Sequence, residues 1–330
     1  MNETRDIILE MLKNADGMFV SSRELCAALH TSRTAVWKHI HALQEQGYQV
    51  EAVTNKGYRL LMDQADLVTP NEMKDFVRAG KLGSSVYYFE TVDSTNNIAK
   101  KMANEGAGEG TLVIADEQLA GRGRWNRSWI SPPKAGVLMS LIIRPPLPVA
   151  EASRITSLAA VAVAKSLMEL SGRQAEIKWP NDILFEGKKI SGILTEVSAE
   201  GNMLQYAIVG VGINTRDAHR LFPESMMPSV ISLEEVIGMR LKRAQVAASV
   251  LSELETMYMD FISNGEFSEI IDFIKSHSAT IGKLVEVDSG DGKIAGVAED
   301  IAEDGALVIR LADQKLRKIY SGDVFALPSV

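Results

Sequence analysis

Apolar positions along this chain keep a helical rhythm at first, and the rhythm changes near residues 65 and 280. Ile7, Ile8, Met11 and Leu12 fall at the three- and four-residue spacing of one helical face, which predicts a helix over 6–15. Ser21-Ser22-Arg23-Glu24 has the form of a capping box and precedes Leu25, Cys26 and Leu29, so a second helix is predicted there. Thr31-Ser32 opens a third, over 32–46, carried by Val36, Ile40 and Leu43 and ended by Gly47. Residues 48–53 and 58–62 then read as strands around an Asn55-Lys56-Gly57 turn. Helices followed by a β-hairpin outline a winged helix-turn-helix.

Gln64-Ala65-Asp66 reads as a linker, and Thr69-Pro70 starts a new helix with proline in its first turn. Asp93-Ser94-Thr95 opens a helix through Ile98, Met102 and Ala103. Residues 111–115, 137–143, 177–179, 190–197 and 206–213 read as strands, with Gly187 and Gly201 at their bounds. The alanine-rich stretch 150–170 predicts a long helix buried against a sheet, and 241–262 and 267–277 predict two more. Strands follow one another without strict βαβ alternation, so the expected class is α+β, a mixed sheet with helices on one face. Beyond 280 come short strands at 284–287, 294–298, 306–310 and 316–320. Their turns are Ser289-Gly290-Asp291-Gly292 and Glu303-Asp304-Gly305, which predicts a small antiparallel barrel or sandwich. The expected domains are therefore 1–65, 66–279 and 280–330.

Composition narrows the setting. The 330 residues are 46% apolar and 24% charged, ordinary for a globular protein with sizeable cores. The single cysteine, Cys26, allows no intramolecular disulfide, has no metal partners and is expected in the core. Charges at 1–6 stand where a signal peptide would carry its apolar run, and the apolar run 158–164 is too short to span a bilayer, so a cytoplasmic protein is expected with no membrane contact. A net charge of −8 disfavours indiscriminate nucleic-acid binding, which leaves a local patch. Ser32, Arg33, Thr34, Lys38 and His41 on the third helix can reach phosphates and base edges, and Lys56 and Arg59 in the wing can add phosphate contacts. Residues 1–60 carry seven Lys and Arg against seven Asp and Glu, so a dimer presenting two recognition helices is the stronger arrangement. The alternative is a protein-contact module in which Arg33 and Lys38 are merely solvated. Trp37 is expected in the core or in helix packing rather than stacked on a base.

Several common chemistries are excluded by their missing motifs. There is no P-loop and no Gly-x-Ser-x-Gly, Gly106, Gly108 and Gly110 do not spell the dinucleotide fingerprint, and His219 and His277 lie far apart. What stands out is Gly121-Arg122-Gly123-Arg124, with Gln118 before it and Trp129 after, then Lys178-Trp179-Pro180-Asn181-Asp182 and Lys188-Lys189. Arginine offers a planar fork of donors suited to carboxylate and phosphate, and tryptophan a face for a base. The glycines let backbone bend close to a ligand. Together these point to a site where a carboxylate meets a nucleotide phosphate, the chemistry of acid activation by ATP. The bland alternatives are a solvated basic loop and, for Trp179-Pro180, a rigid core turn.

These motifs, with Asp93-Ser94-Thr95-Asn96, Ser191-Gly192-Ile193-Leu194 and Gly210-Val211-Gly212-Ile213-Asn214, resemble the biotin–protein ligase family, specifically the bifunctional class that doubles as a biotin-operon repressor. The resemblance covers essentially the whole chain and implies a central ligase domain and a small SH3-like carboxy-terminal barrel. It implies two steps with ATP and Mg2+: biotin carboxylate attacks the α-phosphate, then a lysine of a biotin carboxyl carrier protein takes biotin from biotinyl-5′-AMP. It implies catalytic roles for Lys189, Arg122, Arg124 and Asp182, the last either holding Mg2+ or positioning the carrier lysine. Biotin would meet Ser94, Thr95, Asn96, Gln118, Gly121, Arg122, Arg124, Lys189 and Gly192. Nucleotide would meet Trp129, Lys178, Asn181 and Asn214. Trp125 receives no role, and Ser94 and Thr95 can also act as helix caps. Residues 217–230 are expected to be a mobile loop folding over the adenine end. The adenylate is expected to act as corepressor, promoting a homodimer that binds operator DNA. The alternatives are a lipoate–protein ligase, separable by which acid reacts, and a ligand-sensing repressor without ligase activity, which would show a degraded site.

Overall fold

The computed structural model describes residues 3–45, 47–61, 66–74, 76, 80–216, 222–289 and 292–327. The chain divides into two compact units, Met1–Leu67 and Val68–Val330. In the first, α1 (Glu3–Asn14), α2 (Ser22–Leu29) and α3 (Arg33–Glu45) precede an antiparallel hairpin of β1 (Val50–Val53) and β2 (Gly57–Leu60). The capping box forms: Glu24 N–H donates to Ser21 Oγ at 3.2 Å and Ser21 N–H to Glu24 Oε2 at 2.8 Å. Ile8, Leu12, Leu25, Val36, Ile40 and Leu43 close the core, and Cys26 packs at its margin while staying half-buried. Gly57 (φ +111°) is needed in the wing, because a Cβ there would lie 2.1 Å from the Val20 carbonyl oxygen. Gln46, Met62, Gln64 and Ala65, which the sequence placed at the helix end, the second strand and the linker, lie outside the described residues.

Of the two placements expected for Trp37 the core is not taken: it is 55% exposed, with its ring 5.5 Å from that of His41 one turn further along α3. Val36, Ile40 and Leu43 own the buried stripe of α3, and the residue after Val36 lies about 100° further round the helix, outside it.

The second unit opens with α4 (Pro70–Lys74) and is built on seven strands: β3 (Ser85–Val92), β4 (Thr111–Gln118), β5 (Gly136–Ile143), β6 (Glu176–Lys178), β7 (Asp182–Phe185), β8 (Lys188–Glu200) and β9 (Met203–Asn214). Their order is β3-β4-β5-β9-β8-β7-β6, parallel between β3 and β4 and antiparallel elsewhere. Every residue of β5 is buried, as befits a central strand covered on both faces. The helices α5 (Thr95–Asn104) and α6 (Ala152–Ser171) supply that cover from opposite sides. Ala99 and Ala103 pack on Val113, Ile142 and Ile208, while Leu158 and Ala162 join Leu112, Ile114 and Val209. This corrects the expectation of helices on one face: the β4, β5 and β9 runs are apolar at successive positions, so both faces need a partner. The edge strand β3 and the four-residue β7 were not predicted; the first is mostly solvent-facing and the second is shorter than a legible period.

Five antiparallel strands follow: β10 (Leu284–Asp288), β11 (Lys293–Ile301), β12 (Leu307–Arg310), β13 (Leu316–Ile319) and β14 (Asp323–Ala326), in the order β13-β12-β11-β10-β14. The last is an addition to the four expected. Trp179 fastens this layer to the large sheet: buried, it donates from Nε1 to the Gly305 oxygen at 3.0 Å and from its amide to Thr280 Oγ1 at 3.1 Å. Beneath β4 a fully buried Arg243 lies 2.8 Å from Asp116 Oδ1 and donates to the Gly136 oxygen, while Tyr88 OH donates to Asp116 Oδ2 at 2.8 Å. Burial and the Asp116 carboxylate together push the Tyr88 phenol well above its usual value.

Candidate functional site

A cavity of about 130 Å³ opens where the start of α5, the end of β4, the 121–129 loop and the paired strands β8 and β9 meet. At one end, Gln118 Oε1 accepts from the Thr95 amide at 2.8 Å and from Thr95 Oγ1 at 3.0 Å. Ser94 holds the N-cap position of α5 but makes no side-chain cap bond, so Gln118 satisfies the helix start instead. Asn96 Nδ2 donates to Glu196 Oε2 at 2.9 Å and to the Leu194 oxygen, and Ser140 Oγ lies 2.6 Å from Asn96 Oδ1. Gly210 makes room for this network: a Cβ there would stand 2.0 Å from Asn96 Oδ1.

The arginine loop closes on itself. Trp129 N–H donates to the Gly121 oxygen at 2.9 Å, and Gly123 N–H to the Arg127 oxygen at 2.7 Å. A side chain on Gly121 would meet the Trp129 oxygen at 2.4 Å, so this glycine serves loop closure and does not itself line the cavity. Arg122 reaches Asn97 Oδ1 at 2.9 Å and Glu196 Oε1 at 3.2 Å. Arg124 donates to Ser321 Oγ at 2.9 Å, to the Gly322 oxygen at 3.2 Å and to Asn181 Oδ1 at 3.4 Å. Burial lowers the Arg124 guanidinium below its usual value, and the nearby Asp323 and Asp182 oppose that shift.

At the other end, Trp129 lies against the backbone of β8 and β9. A Cβ on Gly212 would be 2.5 Å from Trp129 Cε2, and one on Gly192 3.1 Å from Cζ3. Lys189 Nζ stands 5.5 Å from the Trp129 ring centroid and 2.7 Å from Asp182 Oδ1. An indole face, an ammonium, two carboxylates and three guanidinium groups thus surround one small volume, a donor set able to gather an anion and a planar base.

Of the residues expected in the site, Ser94, Thr95, Asn96, Gln118, Arg122, Arg124, Trp129, Asn181, Asp182, Lys189 and Gly192 line this cavity. Lys178 does not; on the outermost strand β6, it lines a separate cavity of about 200 Å³ with Thr280, Lys283 and Val285. Asn214 is buried and donates to the Ile231 oxygen at 3.4 Å and weakly to that of Lys189, which fixes the exit of β9. Arg127, Ser128 and Asp323 also line the cavity and were not predicted. Arg127 had a signal, as a third arginine in the same loop; Asp323 had none. Of the expected loop 217–230, residues 217–221 lie outside the described residues; Phe222 and Val230 are buried with Met226 in a small cluster, and Ile231 N–H donates to the Lys189 oxygen at 3.0 Å.

In the first unit, Ser32, Arg33, Thr34, Lys38 and His41 are all exposed along α3, with Trp37 among them. Ser32 Oγ accepts from the Ala35 amide at 3.2 Å, so it also caps the helix. His41 Nδ1 lies 3.3 Å from Glu45. In the wing, Lys56 is exposed, whereas Arg59 pairs with Glu51 and lies over the Phe19 ring.

The biotin/lipoate A/B protein ligase family matches residues 88–214, an HTH domain 4–59, and the biotin protein ligase C terminal domain 280–327. The chain is 39% identical over 320 residues to the bifunctional ligase/repressor BirA of Bacillus subtilis (strain 168), covering 97% of this chain and 98% of that protein. It is 31% identical to the protein of the same name from Escherichia coli (strain K12), over 89% of each. The biotin protein ligase from Aquifex aeolicus solved in complex with biotin and ATP matches with a TM-score of 0.63 at 28% identity, covering 74% of this chain and 100% of that one. With relatives of 31% and 39% identity matched along 89% and 98% of their own length, the chain belongs to the bifunctional biotin ligase/repressor family.

Proposed function

We propose that this protein activates biotin with ATP, transfers it to a lysine of a biotin carboxyl carrier protein, and represses transcription of genes for biotin synthesis and transport with biotinyl-5′-AMP as corepressor. The observation that carries the reading is that Lys189, Asp182, Trp129, Arg124 and the Ser94–Gln118 cluster line one cavity. In the first step a biotin carboxylate oxygen bonds to the α-phosphorus and the bond to pyrophosphate breaks. Lys189 and Arg124 stabilise the charge that gathers on the non-bridging oxygens. In the second, the carrier amine attacks the acyl carbon, loses a proton and displaces AMP. Neither step needs a covalent enzyme intermediate. Ser94, Thr95, Asn96 and Gln118 hold the biotin head group and Trp129 the adenine, while the 121–129 loop shields the mixed anhydride from water.

Among the described residues no group of three or more His, Cys, Asp or Glu could hold a metal ion. The donor set fits Mg2+ carried mainly by the triphosphate, with Asp182 as the adjoining carboxylate. Bound so, Mg2+ would neutralise phosphate charge. Arg33, Thr34, Lys38 and His41 read the operator from α3, with phosphate contacts from Lys56. The protein works in the cytoplasm as a ligand-promoted homodimer on DNA. Among the described residues no helix is long and apolar enough to cross a membrane.

Biotin transfer to a purified carrier domain with Mg-ATP tests the enzyme, comparing wild type with Lys189→Ala. Transfer by the wild type and a loss on the order of 10²-fold or more in the variant is expected. No wild-type transfer, with biotin and ATP both bound, would replace the ligase with a sensor. Operator affinity indifferent to biotin plus ATP would remove the corepressor.

A further inference from the structure

The largest apolar side chain of the first unit, Trp37, stands outside its core. Trp179 in the second unit is buried and donates its Nε1–H to the Gly305 oxygen, whereas the Trp37 Nε1–H makes no hydrogen bond among the described residues. A lone exposed apolar side chain is ordinary on a protein surface, so what matters is where this one stands. It shares one arc of α3 with Arg33, Thr34, Lys38 and His41, outside the buried stripe of Val36, Ile40 and Leu43. It lies one turn after Arg33 and one turn before His41. The His41 ring rests beside the indole and is itself held by Glu45, 3.3 Å from Nδ1. Arg33 and Lys38 form no ion pair among the described residues.

A flat apolar ring between two uncommitted cations suits a particular surface. An apolar protein face would match the indole but would strip water from Arg33 and Lys38 without supplying counter-charge. A DNA duplex supplies both: phosphates along the rim for the cations, and apolar methyl groups inside the major groove for the ring. In that groove bases show their edges and not their faces, so an indole entering it meets a methyl rather than a stacking partner. Among the four bases thymine carries that methyl. The position on the helix agrees, because α3 begins at Arg33 and the first turns of a recognition helix are those that reach base edges.

We propose that Trp37 is a specificity-determining residue of the DNA interface: its indole face packs on the C5-methyl of a thymine in the major groove, beside the polar contacts of Arg33 and Lys38. This rests on the reading of α3 as an operator-binding helix and adds what that reading lacks, an apolar contact that carries sequence information without charge. Removing it therefore lowers affinity for the operator without changing the number of phosphates neutralised.

The test uses the full chain with biotin and Mg-ATP. The probe is the duplex upstream of the biotin-synthesis genes in the genome that encodes the chain, prepared once with thymine and once with uracil at every thymine position. Fluorescence anisotropy then compares wild type, Trp37→Ala and Trp37→Phe. Loss of the methyls should weaken wild-type binding by about three- to tenfold. Trp37→Ala should bind the thymine duplex about tenfold more weakly, respond less than about twofold to uracil, and keep the wild-type salt slope. Trp37→Phe, which keeps an apolar ring, should keep most of the response to uracil. Equal responses to uracil in wild type and Trp37→Ala, or a reduced salt slope, would overturn the proposal. So would a loss of affinity accompanied by a lower urea midpoint, which marks a packing role, or a changed oligomeric state of Trp37→Ala without DNA, which puts a second copy of the chain on this face. If wild type prefers this duplex to a shuffled one and Arg33→Ala weakens it while Trp37→Ala does not, the operator reading stands and this inference falls. If wild type shows no preference, both fall.

Discussion

Where the cavity meets the start of α5, polar side chains are buried and already bonded to one another; on α3 they stand in solvent. Asn96 is 4% exposed and tied to Glu196, Leu194 and Ser140, whereas Arg33, Thr34 and Lys38 are fully on the surface. The contrast follows from what each must recognise. A small ligand with few atoms repays only those donors that are fixed beforehand, because each side chain frozen on binding takes back part of the gain. A polyanion supplies a long-range field, and long, solvated side chains can adapt to its phosphates. Rigidity in one region and freedom in the other should therefore give different mutational behaviour.

The foundation under β4 should show the largest effect. Asp116→Ala leaves Arg243, fully buried, without its carboxylate and removes the acceptor of Tyr88. Breaking a buried pair this way costs about 3–5 kcal/mol. The wing offers the matched exposed pair: Glu51→Ala, facing a partly exposed Arg59, should cost about 1 kcal/mol or less. Urea unfolding of both variants checks the contrast, and equal losses would break it.

Next comes Gly212→Ala. The new methyl would meet Trp129 at 2.5 Å, and the ring has to leave its seat on β8 and β9. Displacement of about 1 Å in a site of this kind costs on the order of 10²-fold in rate. The loss should appear in ATP-dependent biotin activation while biotin binding persists, which a calorimetric titration with biotin can separate. An unaffected rate would mean that the ring does not depend on its seat over Gly212.

The same contrast explains what was legible in the sequence. Exposed stripes are written in local spacing: Val36, Ile40 and Leu43 fix which way α3 turns, and Arg33, Lys38 and His41 follow. The same phase puts Trp37 outside the buried stripe, where it is 55% exposed. In the cavity, motifs marked which segments mattered, but the partnerships join residues far apart in the chain. Glu196 meets Asn96 and Arg122, and Asp323 meets Arg127, only because strand order brings them together. Lys178 shows the reverse situation: it belongs to a marked segment, yet β6 lies at the sheet edge and carries its side chain to a different cavity. β7 and β14 were missed because four-residue strands carry too few residues to show a period.

Changes on the DNA face should be smaller and confined to it. Arg33→Ala and Lys38→Ala should each weaken operator binding by about tenfold and reduce the salt slope by about one if they contact phosphate. Biotin transfer should not change. Fluorescence anisotropy with operator DNA over a series of salt concentrations measures both quantities, and a fall in ligase rate would contradict the separation of the two regions.

The smallest effect on stability should come from Trp37→Ala. Its ring is 55% exposed and lies 5.5 Å from that of His41. Removing an exposed side chain usually changes stability by about 0.5 kcal/mol or less. Ile40→Ala, three residues on and 2% exposed, should cost about 2–5 kcal/mol through lost burial and a cavity. Chemical denaturation of the two variants sets a ratio that helical phase alone predicts. A large loss from Trp37→Ala would mean that the indole is packed in solution, and the outward face of α3 would then have to be redrawn around it. A small loss leaves the ring standing among Arg33, Lys38 and His41, where a change in operator affinity at unchanged stability would give it a role on DNA rather than in the core.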